Sequence, residues 1–128
     1  MTRARILVAD DEDGLRWVLE KGLRQAGYDV TAVKDGTAAL EAFEAEPFDL
    51  VFLDVRMPGI DGLTLLGRLR EIRADACVIV MTAHGTLETW RRATAQGAFA
   101  YLPKPLDATR LKTVLASAFD GGPQDRSR

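Results

Sequence analysis

The chain has one cysteine, Cys77, in 128 residues, so it cannot close an intrachain disulfide. Cys77 sits in the apolar run ACVIVM and reads as a small buried hydrophobe. There is also one histidine, His84, which excludes a histidine metal cluster and reads as a loop residue. No apolar run reaches the length of a membrane helix. The N-terminus MTRARILVAD passes from a basic pair straight into a strand-like run, without the apolar stretch of a signal peptide. A soluble cytoplasmic chain is the expectation. Positive charge is not in excess either: 17 Lys and Arg face 19 Asp and Glu, a formal net charge of −2. Arg91-Arg92 is the nearest thing to a basic patch and reads as a solvated helix face, so direct nucleic-acid binding is not expected. No G-x-G-x-x-G follows the first strand-like run; DDEDGL stands there, and its carboxylates would repel a pyrophosphate.

What the sequence does have is a regular alternation. Five short apolar runs occur: RILVA (5–9), DVTAV (29–33), DLVFL (49–53), CVIVM (77–81) and AYL (100–102). The continuous ones suit strands covered on both faces of a parallel sheet. DVTAV alternates more, as an edge strand does. Helical stripes lie between them: Leu15, Val18, Leu19, Gly22, Leu23 and Ala26; then Ala39, Leu40 and Phe43; then Leu65, Leu66, Leu69 and Ile72. Leu111, Val114, Leu115, Ala118 and Phe119 form the last, with Asp107 as N-cap. The segment 86–96 is the poorest stripe, with Leu87, Trp90 and Ala93 or Thr94 as its inward candidates. Strand and helix alternate five times. The predicted fold is therefore α/β: a flavodoxin-like (βα)5 domain, a doubly wound parallel five-stranded sheet of order 2-1-3-4-5. One domain is expected over 4–120, followed by a polar tail over 121–128 that reads as the start of a linker.

Four of the five strand-like runs end near a residue with chemistry. Asp10 and Asp11 follow the first, Asp54 the third, Thr82 the fourth, and Lys104 follows the fifth. An open parallel sheet binds ligands at the carboxyl ends of its strands, so these residues should converge. Three carboxylates in one cleft call for a compensating cation, and Mg²⁺ with oxygen ligands fits. A lysine, a hydroxyl and a metal around a carboxylate suit a phosphoryl group, and aspartate is a known covalent phosphoryl acceptor.

The four motifs DD (10–11), LDVRMPGIDG around Asp54, MTAHG with Thr82, and YLPKP with Lys104-Pro105 resemble the receiver domain of bacterial response regulators. The resemblance covers about 4–120, and the wording is most similar to NtrC-like activators of sigma-54-dependent transcription. It implies that Asp54 is the phosphoacceptor. Asp10 and Asp11 would hold Mg²⁺ with a carboxylate oxygen of Asp54 and the backbone carbonyl of Arg56. Thr82 and Lys104 would contact phosphoryl oxygens, Ala83 would leave room for them, and Tyr101 would be the switch aromatic. The Lys104–Pro105 bond would be cis. The implied partners are a sensor histidine kinase, a second copy through the helix 4–strand 5–helix 5 face, and an output portion with AAA+ ATPase and DNA-binding domains. The implied role is a signalling phosphoacceptor that catalyses its own phosphorylation and slow dephosphorylation, not a turnover enzyme. Phosphorylation would shift a two-state equilibrium, mainly in 82–106.

Other readings stand beside this one. DEDG (11–14) resembles the nucleophile motif of haloacid-dehalogenase-type phosphatases, which would make Asp11 the nucleophile and Asp13 the acid/base. A stand-alone receiver acting by protein–protein contact, or the same fold without phosphorylation, are further alternatives. Two places depart from simple patterning. Trp17 falls off the inward stripe of its helix, and Arg91 occupies an inner-face position of helix 4 that receivers usually give to small or aliphatic residues. Helix 4 is therefore expected to be loosely held or to present Trp90 to a partner.

Overall fold

The computed structural model describes residues 3–121. Five strands and five helices alternate: β1 Arg5–Ala9, α1 Asp13–Gln25, β2 Asp29–Val33, α2 Gly36–Ala45, β3 Leu50–Asp54, α3 Gly62–Ile72, β4 Val78–Thr82, α4 Leu87–Ala95, β5 Ala100–Pro103 and α5 Ala108–Ala116. A single π-helical turn, Ser117–Gly121, closes α5. The remainder of the polar tail lies outside the described residues. All strands pair in parallel in the order β2-β1-β3-β4-β5, as the alternation predicts.

Continuous apolar strands fold this way because both faces need cover. Side chains alternate between faces with a period of two. Ile6, Val8, Leu50, Phe52, Ile79 and Met81 point to the core shared with α1 and α5. Leu7, Ala9, Val51, Leu53, Val78 and Val80 point to the core shared with α2, α3 and α4. Short polar side chains start the helices. Asp35 accepts a hydrogen bond from Ala38 N at 2.7 Å, Asp61 from Leu63 N and Thr64 N at 3.0 Å each, and Asp107 from Thr109 N at 2.9 Å.

Strands β3 and β4 begin one residue later than their apolar runs suggest and end one later. Asp54 and Thr82 are thus the last residues of their strands, in register with Met81 and Pro103. Several apolar positions of the helical stripes face solvent instead, among them Val18, Ala26, Ile72 and Leu87. Trp90 is also exposed, and so is Arg91, so neither belongs to the inner face of α4; Ala93 alone is buried there. Of its two alanines the helix turns Ala93 inward and Ala95 outward, and just past its end α3 approaches closely. A Cβ on Gly67 of α3 would lie 2.8 Å from the Gln96 side-chain amide.

Candidate functional site

The carboxyl ends of β1, β3, β4 and β5 bring Asp10, Asp54, Thr82 and Lys104 together. Asp10 is fully buried, and Asp54 and Thr82 nearly so. The Lys104 ammonium lies between two of the carboxylates, 2.9 Å from Asp10 Oδ2 and 3.1 Å from Asp54 Oδ2. The exposed Glu12 carboxylate is 3.6 Å away. The Lys104 backbone N donates to Thr82 O at 2.8 Å, and the Lys104–Pro105 bond is cis.

Asp10 is held on one side only. Its Oδ1 accepts from Glu12 N at 2.8 Å, while Oδ2 is an ion-pair neighbour of Lys104 without a well-directed hydrogen bond. Arg16 braces the acidic loop: its guanidinium donates to Asp10 O at 2.8 Å and pairs with Asp13. Sequence reasoning missed Arg16, although an Asp and an Arg three apart at a helix start are a readable pair.

Burial pushes the Asp54 carboxyl above the usual range, and Asp10 nearby adds to this; the hydrogen bond from Lys104 works the other way without overcoming it. Burial alone would lower Lys104, but the adjoining Asp10 and Asp54 carboxylates outweigh that and raise it. The ammonium is therefore firmly charged.

Asp54 is positioned by the turn behind it. Arg56 N approaches Asp54 Oδ1 at 3.3 Å. Gly59 adopts φ +80°, which side-chain-bearing residues rarely take. Gly62 N donates to Val55 O at 2.8 Å, and a Cβ on Gly62 would lie 2.2 Å from Asp54 O. Only glycine lets α3 start directly against the strand that carries Asp54.

Oxygen atoms of Asp10, Asp11 and Asp54 all lie within 4.8 Å of one another. An all-oxygen donor set, with Asp11 exposed to water and one buried Asp10 oxygen lacking a directed partner, suits a hard divalent cation. Thr82 Oγ1 faces the same strand end and accepts from His84 N at 3.2 Å. Ala83 and His84 are exposed loop residues. Tyr101, half-buried on β5, shares its hydroxyl with Thr89 of α4 at 2.7 Å. Asp13 points away into an exposed pair with Arg16 and takes no part in the cluster. Among the described residues no helix is long and apolar enough to cross a membrane.

The sequence matches the response regulator receiver domain family over residues 6–116. It is 44% identical to the DNA-binding transcriptional regulator NtrC of Escherichia coli K12 over 84% of this chain and 23% of that protein. It is 42% identical to NtrC of Rhizobium meliloti over 92% of this chain and 24% of that protein. The chain thus spans about a quarter of the length of these curated relatives. Among solved structures, it superposes on the response regulator TrrA of Thermotoga maritima in complex with Mg²⁺–BeF with a TM-score of 0.82. That pair is 34% identical, covering 91% of this chain and 99% of the other. A family match across most of the sequence, on a sheet of this order with an acidic cluster at its strand ends, makes the chain a member of the response regulator receiver domains, signalling modules rather than turnover enzymes.

Proposed function

We propose that Asp54 accepts a phosphoryl group from a phosphohistidine of a sensor kinase, and that the domain then changes state to control an attached output. The observation that carries this is the largely buried Lys104 ammonium set between Asp10 and Asp54, beside an open cluster of carboxylate oxygens. Asp10, Asp11 and Asp54, with the Arg56 carbonyl, are the residues that would hold Mg²⁺, the ion in the Thermotoga complex. When bound, the ion neutralises charge on the phosphoryl oxygens and on the carboxylates. An Asp54 oxygen attacks phosphorus as the bond to the histidine nitrogen breaks. Lys104 offsets charge on one phosphoryl oxygen, and the Thr82 hydroxyl donates to another. Water later hydrolyses the acyl phosphate, which returns the Asp54 carboxylate. Trp17 and Val18, both 59% exposed on the helix that starts at the cleft, offer the kinase an apolar seat.

The unit that folds and signals is 4–120. The likeness to NtrC supports transcription as the output, through AAA+ and DNA-binding portions beyond this chain, in the cytoplasm, with a second copy meeting the α4–β5–α5 face. The test is incubation with acetyl phosphate and Mg²⁺. One label per chain is expected, abolished by chelator and by Asp54→Asn but kept in Asp13→Asn. Label persisting in Asp54→Asn, or rapid turnover of phosphate esters, overturns the reading in favour of a phosphatase-like use of Asp11.

A further inference from the structure

Helix α4 begins with a reciprocal cap. Thr86 Oγ1 accepts from Thr89 N at 3.1 Å, and Thr86 N donates to Thr89 Oγ1 at 2.9 Å. Thr89 Oγ1 also lies 2.9 Å from Thr86 O and 2.7 Å from the Tyr101 hydroxyl. A threonine hydroxyl has one proton and two lone pairs. A carbonyl only accepts, so the Thr89 proton goes to Thr86 O. One lone pair takes Thr86 N–H. The other lies 2.7 Å from the Tyr101 hydroxyl and 3.2 Å from the Thr86 hydroxyl, and the shorter contact assigns Tyr101 as its donor. Every hydrogen-bonding position of the Thr89 hydroxyl is then filled, and one of its three partners belongs to β5.

The phenol also needs space. A Cβ on Gly85 would lie 2.8 Å from the Tyr101 hydroxyl and 3.1 Å from Thr82 Cγ2. Gly85 carries no unusual φ, so clearance for Tyr101 is its evident contribution. The same cap matters more here than in a well-packed helix, because Ala93 is the one buried residue of α4.

We propose that Thr89 is a positioning residue for the switch: the cap of α4 is also the berth of Tyr101, with Gly85 as its clearance, so the tyrosine and the first turn of α4 move as one unit. This rests on the receiver reading for what the unit transmits. The unit itself is measurable without phosphorylation. The experiment is amide hydrogen exchange by NMR at Thr89 and Trp90 in the metal-free, unphosphorylated protein. Tyr101→Phe removes the donor and Gly85→Ala displaces the ring, and neither touches a cap atom. Both should speed exchange about three- to tenfold, the factor a hydrogen bond of ordinary net worth carries. Thr89→Ser, which keeps the hydroxyl, should match wild type, and Thr89→Val should exceed both other losses. A purely local cap predicts an effect in Thr89→Val alone, so wild-type exchange in Tyr101→Phe and Gly85→Ala overturns the proposal. So does a phosphorylation-induced change at these amides that is as large in Tyr101→Phe as in wild type. Absence of label on Asp54 would instead sink the phosphoacceptor reading and leave the berth standing.

Discussion

Helices α3 and α4 pack side by side against the same face of the sheet, and different forces hold them there. α3 buries Leu63, Leu65, Leu66 and Leu69, and its first residue Gly62 lies directly against Asp54 O. α4 buries Ala93 alone, and its start is pinned by polar contacts. Its start is tied to Tyr101, and its far end leaves room at Gly97, φ +90°, for the Arg70 guanidinium of α3. Apolar burial is strong and non-directional, so it fixes α3 as the backing of Asp54. Net hydrogen-bond energies are small and can be exchanged for others, so α4 can take a second arrangement at low cost. Segments that move on switching come from this less stable end of a structure.

The largest effect should come from the rigid member. Leu66→Ala removes a fully buried side chain and should cost about 2–5 kcal/mol in urea unfolding. A cost under 1 kcal/mol would mean that α3 is no firmer than α4. Lys104→Met comes next. It leaves Asp10 and Asp54 buried without their cation, and should cost up to about 3 kcal/mol in metal-free buffer, the low end for removing one partner of a buried pair. Part of that loss should return on adding Mg²⁺, measured as a shift in the unfolding midpoint.

The charge on Asp54 acts the opposite way. Its folded-state pKa is raised, so the stability it contributes is complete below pH 3.8 and is lost as pH rises through the folded value. Asp54→Asn should therefore melt above wild type at pH 7 with chelator present, and the difference should vanish near pH 3. Lys104, also raised, contributes stability below pH 10.5 that is lost at higher alkalinity. An Asp54→Asn protein that melts below wild type at pH 7 would show that the Lys104 pairing outweighs burial.

The same contrast explains what could be read from the sequence. The strands, the order of the sheet and the convergence of Asp10, Asp54, Thr82 and Lys104 follow from apolar runs that end in polar residues. α3 was legible because burial leaves a periodic stripe. α4 was legible only as a poor stripe over 86–96, with Ala93 rightly among its inward candidates, because its other contacts are hydroxyls and glycine clearances that leave no period. Leu87 and Trp90 were the natural inward candidates, yet they are 62% and 46% exposed. Thr89 and Gly85 carry no signal until Tyr101 is placed beside them. Arg91 was legible as unusual, but as a surface residue it does not disturb the inner face.

Thr86→Ala tests the polar side of the contrast. Loss of an N-cap hydroxyl typically costs about 0.5–2 kcal/mol. On a helix with one buried residue, that cost should appear mainly as faster amide exchange across 87–95, with a smaller change in the global midpoint. The equivalent loss on α3, Asp61→Ala, removes hydrogen bonds to Leu63 N and Thr64 N, but leucine packing should hold the helix and spread the cost over the whole domain.

The smallest effect should be Leu87→Ala. Leu87 is exposed in the first turn of α4, so truncating it should change stability by less than about 0.5 kcal/mol, the range of ordinary surface substitutions. Its value lies in what it separates. If α4 were held by apolar packing that only a population average hides, Leu87→Ala would loosen the helix as Thr86→Ala does. If polar pins hold it, exchange across 87–95 should stay at wild-type rates while Thr86→Ala speeds it. The two substitutions are adjacent and act on the same turn. A difference between them therefore measures which force holds the helix, with length, position and propensity nearly matched.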